Sequence, residues 1–271
     1  MDILFCDVDH GACTLICSDN GHHFMIDCGH SSRRNWRPSE HLRCNGIHKV
    51  EYLFVSNFDE DHVSDLPNLI EYVPYCCYNT AVSADYIRKL KQPSGIGNGI
   101  KSLLGPMSVC TPEPFYNRPD WGGLIFSMYG NKPQLGLTDT NNLSLVTFVH
   151  YYNLHLIFPG DIEEIGWREL LKNPNFCNEL KTVNVFVASH HGRASGYCTD
   201  VFEWCCPELV IYSDSKIQFD TQQTAANYGQ HTRGITFPNG VIRKVLTTRN
   251  DGHISIQKYG MYRGSVTTEK G

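Results

Sequence analysis

No apolar run in this chain of 271 residues is long enough to cross a bilayer. The first residues, Met1 to Asp7, lack the basic flank and the small-residue cleavage site of a secretory signal. A cytoplasmic protein with no membrane role is therefore expected. No CxxC pair, tandem repeat, low-complexity stretch or linker-like segment is present. Positive charge is also short: Lys and Arg number 23 against 28 Asp and Glu, a net charge of -5. That balance excludes a protein that coats nucleic acid wholesale, because such binding rests on cationic side chains. It leaves room for a local basic groove.

Cysteine is not scarce, at twelve residues. Cys6, Cys13, Cys17, Cys110 and Cys177 sit in apolar runs, where a reduced thiol packs as a small hydrophobe. Cys76-Cys77 and Cys205-Cys206 are adjacent pairs, poorly placed to chelate one ion. Reduced structural thiols fit a reducing compartment. The remaining composition, 41% apolar and 19% charged, is that of a globular chain, read here as one domain over 1–271.

The chain is organised around Ser56-Asn57-Phe58-Asp59-Glu60-Asp61-His62. The apolar run Tyr52–Val55 before it reads as a buried strand. Carboxylates and an imidazole on a tight loop at a strand end suit one or two divalent cations. Strands are expected at 3–8, 12–17 and 22–29, with an Asn-Gly hairpin between the last two. Asp27 closes the third and is placed to brace the metal loop. Residues 30–45 carry Arg33, Arg34, Arg37 and Arg43 and read as a solvated face or a basic lip over a site.

Short helices are expected at 65–72 and 83–91, with an amphipathic element at 100–109. A strand is expected at 75–82, a loop at 112–123 and a strand at 124–129. Residues 144–149 and 155–161 form a hairpin that sets Asp161 at a strand end, and a helix follows over 162–173. The strand 183–189 ends in His190-His191-Gly192-Arg193, where glycine lets the backbone turn. A helix end at 201–206, a strand at 209–212 and a helix at 221–228 come next. Residues 243–248 and 253–256 read as a closing hairpin. Two strand meanders with interspersed helices suggest an α/β fold of two sheets packed between helices.

With these pieces in order, the sequence resembles the metallo-β-lactamase superfamily, in particular the hydrolase branch of the ComEC/Rec2 DNA-uptake proteins. Phe5–Ala12 stands where that branch has D-V-G-Q-G-D, and Met25–Gly29 resembles L-I-D-x-G. Ser56–His62 resembles S-H-x-D-x-D-H. Asn142–Val146, Phe158–Asp161 and Ser189–Gly192 resemble N-x-S-L-V, T-G-D and H-H-G, and 246–254 resembles the last hairpin.

The resemblance implies an αββα sandwich of two mixed sheets between helices. It implies a Zn or Mn hydrolase with one or two ions per chain, acting through metal-activated hydroxide on DNA, RNA or a nucleotide. Asp61 and His62 would hold one ion, Asp59 the other, and Asp161 would bridge them. One of His190 and His191 would complete the first site; His191, directly before the glycine, is favoured. His190 would then donate a proton, giving a catalytic set of Asp61, Asp161 and His190. Asp27, Asn57 and His10 would stand behind the ligands. Arg193 and Arg249, with Arg33, Arg34 and Arg37, are candidate phosphate contacts.

Asn57 replaces a histidine of the family and His10 a glutamine. An amide is a poor ligand, so the Asp59 half of the site is under-supplied. A catalytically degenerate module binding a ligand or protein partner is the competing reading, as is hydrolysis of another ester on the same fold. Protein partners in a larger soluble system would suit a chain without a channel.

Overall fold

The computed structural model describes residues 1–93, 95–109, 120–134, 137–215, 223–258, 260–261 and 264–270. Cys110, most of the loop expected over 112–123, and the first two residues of the helix expected at 221–228 lie outside them.

The first sheet is built from β1 (Asp2–Phe5), β2 (Cys13–Cys17), β3 (His23–Cys28), β4 (Tyr52–Phe54) and β5 (Cys76–Cys77). The second contains β6 (Leu124–Gly130), β7 (Leu145–Tyr151), β8 (Leu154–Phe158), β9 (Val185–Val187) and β10 (Leu209–Tyr212). A small ribbon, β11 (Ile235–Thr236) with β12 (Ile242–Arg243), precedes β13 (Val245–Thr247), β14 (Ile254–Gln257) and β15 (Ser265–Thr268). The orders are β15-β14-β1-β2-β3-β4-β5 and β13-β10-β9-β8-β7-β6. Both sheets are mixed: β3, β4 and β5 run parallel, as do β8, β9, β10 and β13.

Side-chain alternation explains the layering. In β3, Phe24 and Ile26 join a cluster with Phe126, Val149, Leu156 and Phe158 of the facing sheet, while Met25 points the other way. In β7, Leu145 and Val149 face that inter-sheet core, whereas Val146 and Phe148 pack with Trp167, Phe176 and Leu180 on the outer helices. Three apolar layers therefore separate four structural layers, an αββα sandwich. Because both faces of each sheet are covered, the strands read as continuous apolar runs rather than alternating ones. Phe54 and Phe126 stack across the sheets with centroids 4.8 Å apart. Burying each such ring contributes roughly 1.5–3 kcal/mol.

Outside the first sheet lie α1 (Pro38–Cys44), α2 (Glu60–Val63), α3 (Leu66–Leu69), α4 (Ala84–Lys91) and α5 (Asn98–Val109). Ser83 caps α4 through Tyr86 N, and the Glu60 carboxylate accepts from Gly99 N and Ile100 N at the start of α5. Outside the second sheet lie α6 (Glu164–Leu170), α7 (Pro174–Leu180) and α8 (Ala225–Gln230).

Three expectations are corrected. The strand at 75–82 is only the two residues of β5. The chain turns again after α6, at Asn173-Pro174, into the unforeseen α7, where Asn173 caps and Pro174 starts the new helix. The closing hairpin does not form: β13 pairs parallel to β10 in the second sheet, and β14 pairs with β1 in the first. A single helical turn, α9 (Thr248–Asp251), carries the chain from one sheet to the other. Two apolar strands around Asn-Asp-Gly satisfy a hairpin pattern locally, but each finds its partner elsewhere.

Gly29 follows β3 with its N–H bonded to Ala12 O at 2.8 Å, and a Cβ there would meet the Asp61 carbonyl oxygen at 2.2 Å. Gly29→Ala must push the metal loop off the sheet, and a cost of about 1–3 kcal/mol is expected. Urea denaturation should show a lower midpoint at unchanged slope; a wild-type midpoint would mean that the loop yields freely.

Candidate metal centre

The parallel strands deliver their following residues to one edge of the sandwich. After β4 come Ser56 to His62, after β8 Gly160 and Asp161, after β9 His190 and His191, and after β10 Ser213. The two edges are tied together: Leu145 N donates to Ser56 O at 2.7 Å, and Ser213 Oγ donates to Gly11 O at 2.6 Å.

His62 is 1% exposed and stands between two carboxylates. Its Nδ1 lies 2.8 Å from Asp27 Oδ2 and its Nε2 3.2 Å from Asp161 Oδ1. Asp27, itself in the left-handed region at φ 58°, also accepts from Ser56 N at 2.7 Å and Ser56 Oγ at 2.5 Å. His191 is held by Nδ1 donating to Ser213 O at 2.8 Å. Its Nε2 lies 3.4 Å from Asp61 Oδ2 and 3.5 Å from Asp161 Oδ1. His190, His191 and Gly192 are successive left-handed residues at φ 52°, 53° and 78°. Each non-glycine residue there costs roughly 1–3 kcal/mol. Glycine is required at 192, where a Cβ would sit 1.9 Å from the Tyr212 ring.

The donor set fits a divalent cation. Nε2 of His62 and Nε2 of His191 are buried with no hydrogen-bond partner, and both converge on Asp161. Each ring is oriented through its other nitrogen, by a carboxylate in one case and a carbonyl in the other, as ligating imidazoles are. Asp61 adds a second carboxylate. Beneath these groups is a cavity of about 30 Å³, lined by His62, Asp161, His191 and Ser213 among apolar residues. It is water-sized, so a substrate must approach from the open side.

The electrostatics follow from burial opposed by neighbours. Burial disfavours the charged ring of His62, but Asp161 and Asp27 outweigh it and hold the imidazole well above its ordinary range. His191 is raised in the same way, burial being overcome by Asp161 and Asp61. Burial pushes Asp161 up, and His191 with His62 bring it far below the carboxylate range. Asp61 is lowered against burial by His191 and His62. His10 falls to about 4 through burial, then His191 and Arg193. A neutral His10 accepts from Arg193 Nη2 at 3.2 Å, its ring 4.6 Å from that of His191.

The structure thus brings together Asp61, His62, Asp161 and His191, with Asp27 and His10 against them. Asp59 stands apart, its carboxylate in an ion pair with Lys91 and accepting from Thr140 Oγ1 at 3.0 Å. Asn57 is buried, its Nδ2 donating to Asn141 Oδ1 at 3.1 Å and its Oδ1 unpartnered. His190 faces Asp161 Oδ2 at 3.9 Å through Nε2, while Nδ1 meets Ser195 Oγ at 3.1 Å and Glu163 Oε1 at 3.2 Å.

Most of the candidate phosphate contacts are committed elsewhere. Arg249 pairs with buried Asp214, Arg34 with Asp7 and Glu269, Arg33 with Asp9 and Arg37 with Asp65. Three of the four arginines of the basic lip, Arg33, Arg34 and Arg37, are therefore in internal ion pairs. Arg193 remains at the site, with its Nε buried and unpartnered. Lys91, Glu163, Ser195 and Ser213 were missed. Glu163 lay only within the helix expected over 162–173, and Lys91 only at the end of the one expected over 83–91.

No family model and no curated protein matches this chain. Solved structures do. A variant of the CmlA beta-hydroxylase aligns with TM-score 0.51 and 11% identity, covering 94% of this chain, which spans about half (53%) of that protein. Igni18, a metallo hydrolase from the archaeon Ignicoccus hospitalis, aligns with TM-score 0.50 and 13% identity over 96% of this chain and 100% of that one. The metallo-beta-lactamase fold protein YhfI from Bacillus subtilis gives TM-score 0.46 and 10% identity, covering 93% and 99%. Identities this low speak to fold alone, and the αββα sandwich is what this chain shares with the CmlA beta-hydroxylase and Igni18.

Because the carboxylates favour protonated His62 and His191, a cation must displace protons to bind. Zn²⁺ or Mn²⁺ binding at pH 7 should release about one to two protons, read as buffer-dependent calorimetric enthalpy. Apparent affinity should rise with pH until both rings deprotonate; a pH-independent affinity would remove the two imidazoles from the ligand set.

Proposed function

We propose that this chain is a metal-dependent hydrolase acting on a phosphodiester, in a nucleic acid or a nucleotide. The observation that carries the reading is the convergence of two buried, unpartnered imidazole nitrogens on Asp161 beside Asp61. The likeness to Igni18, a metallo hydrolase, supports the reaction class. The resemblance of 5–12, 56–62 and 189–192 to the ComEC/Rec2-like branch supports the phosphodiester. Mixed nitrogen and oxygen donors suit Zn²⁺ and Mn²⁺ alike.

A bound cation supplies Lewis acidity and hydroxide at neutral pH. Asp161 and Asp61 hold the charge of the site and fix His62 and His191 by their fields. His190 is kept neutral by burial, with His191 and Arg193 adding to the effect. It takes the proton released in the attack and returns it to the leaving oxygen. Glu163 at its Nδ1 stabilises the imidazolium while that proton is held. Arg193, whose guanidinium lies against His10, is the contact for a phosphate oxygen.

The same reading keeps the chain in the cytoplasm, beside protein partners of a soluble system. Eleven described cysteines, all free, support a reducing compartment. A second reading, binding without turnover, is favoured by Asn57 and by the pairing of Asp59 with Lys91.

Wild type should retain metal that an Asp61→Ala/Asp161→Ala variant loses, measured by elemental analysis. Metal-loaded wild type should hydrolyse bis(p-nitrophenyl) phosphate or single-stranded DNA. His190→Ala should keep its metal and lose about 10²–10⁴ in kcat. A loaded but inert wild type would favour the binding module, and a wild type that takes up no metal would sink the hydrolase.

A further inference from the structure

Lys91 ends α4, some thirty residues beyond the metal loop, yet its ammonium sits on the Asp59 carboxylate. Its side chain is 18% exposed. The placement is built rather than incidental. Ser83 caps the start of α4, and Ala84 and Ile87 anchor the helix in the layer over the first sheet. Thr140 Oγ1 holds the same Asp59 oxygen from another loop. Burial brings the Lys91 ammonium below its ordinary range, and the field of Asp161 opposes that in part.

The half of the centre beyond Asp161 therefore contains one carboxylate already paired with a cation. It also holds the amide of Asn57, 0% exposed with an unpartnered Oδ1, and His190 at 3.9 Å from Asp161 Oδ2. A divalent ion there would have to displace an ammonium and accept an amide oxygen as a ligand. An ammonium, by contrast, is a compact charge with three donors on a flexible stem. One of its N–H groups can stay on Asp59 while another turns to an anionic oxygen.

We propose that Lys91 is the second cation of this centre, excluding a second divalent ion from Asp59 and offering its ammonium to an anionic oxygen of the substrate. The inference rests on the metal reading of Asp61, His62, Asp161 and His191. It gives the Asn57 departure a role: the histidine ligand is dispensable where lysine supplies the charge.

The test is the stoichiometry of Mn²⁺ binding, by calorimetry and elemental analysis, in wild type, Lys91→Met and Lys91→Met/Asp59→Asn. Wild type should saturate at one ion, Lys91→Met should take up a second, weaker ion through the freed Asp59, and the double variant should return to one. Two ions in wild type, or one in Lys91→Met, would overturn this inference and leave the metal centre standing. No ion in wild type would overturn both. Inorganic phosphate is the probe for the substrate contact. Its affinity for the Mn²⁺-loaded protein should fall about tenfold or more in Lys91→Met/Asp59→Asn, which holds a single ion as wild type does, the size of a lost charge-assisted hydrogen bond, and be kept in Lys91→Arg. Unchanged phosphate affinity in the double variant would remove the contact, and its loss in Lys91→Arg would mean that charge at this position is not what binds.

Discussion

A buried carboxylate of one sheet faces a buried imidazole of the other. Asp161, from the end of β8, lies 3.2 Å from His62, which follows β4. Neither charge would be tolerated alone at 4% and 1% exposure, because an unpaired buried ion costs several kcal/mol. Each sheet edge therefore completes the other. Asp27 stands behind His62 and Ser213 behind His191, so the rings cannot rotate away from the shared carboxylate. The left-handed backbone at His190 and His191 is sustained by the same contacts, including His190 N on Gly160 O.

Charge around the centre is compensated locally and almost completely. Four arginines that a reading of composition offers to a phosphate chain instead neutralise Asp7, Asp9, Asp65 and Asp214. Burial drives Asp214 up to about 6 even against Arg249. Among the described residues, Arg193, a neutral His10, His190 with its Glu163, and Lys91 with its Asp59 stand beside the candidate centre.

Much of the centre was legible from local chemistry. Asp61-His62, Asp161 and His190-His191-Gly192 each follow an apolar run, and a polar ligand after a buried strand is a pattern that a short window contains. Asp27 was legible for the same reason. The partners of the arginines were not legible, because a guanidinium's partner is chosen by folding: Arg34 meets Glu269, 235 residues away. The partner of Asp59 was not legible either, since Lys91 arrives on a separate helix. The closing hairpin failed because periodicity identifies a strand but not its neighbour.

Short stretches of chain dictate the apolar strands, the residues that follow them, and thereby the chemical character of one end of the molecule. Strand propensity and ligand chemistry are properties of a few adjacent residues. Folding settles the rest: which carboxylates meet His62 and His191, which arginines are spent on internal pairs, and that an ammonium meets Asp59. Those outcomes depend on distances between segments far apart in the chain, set when two sheets pack face to face and bring their parallel strand ends to one edge.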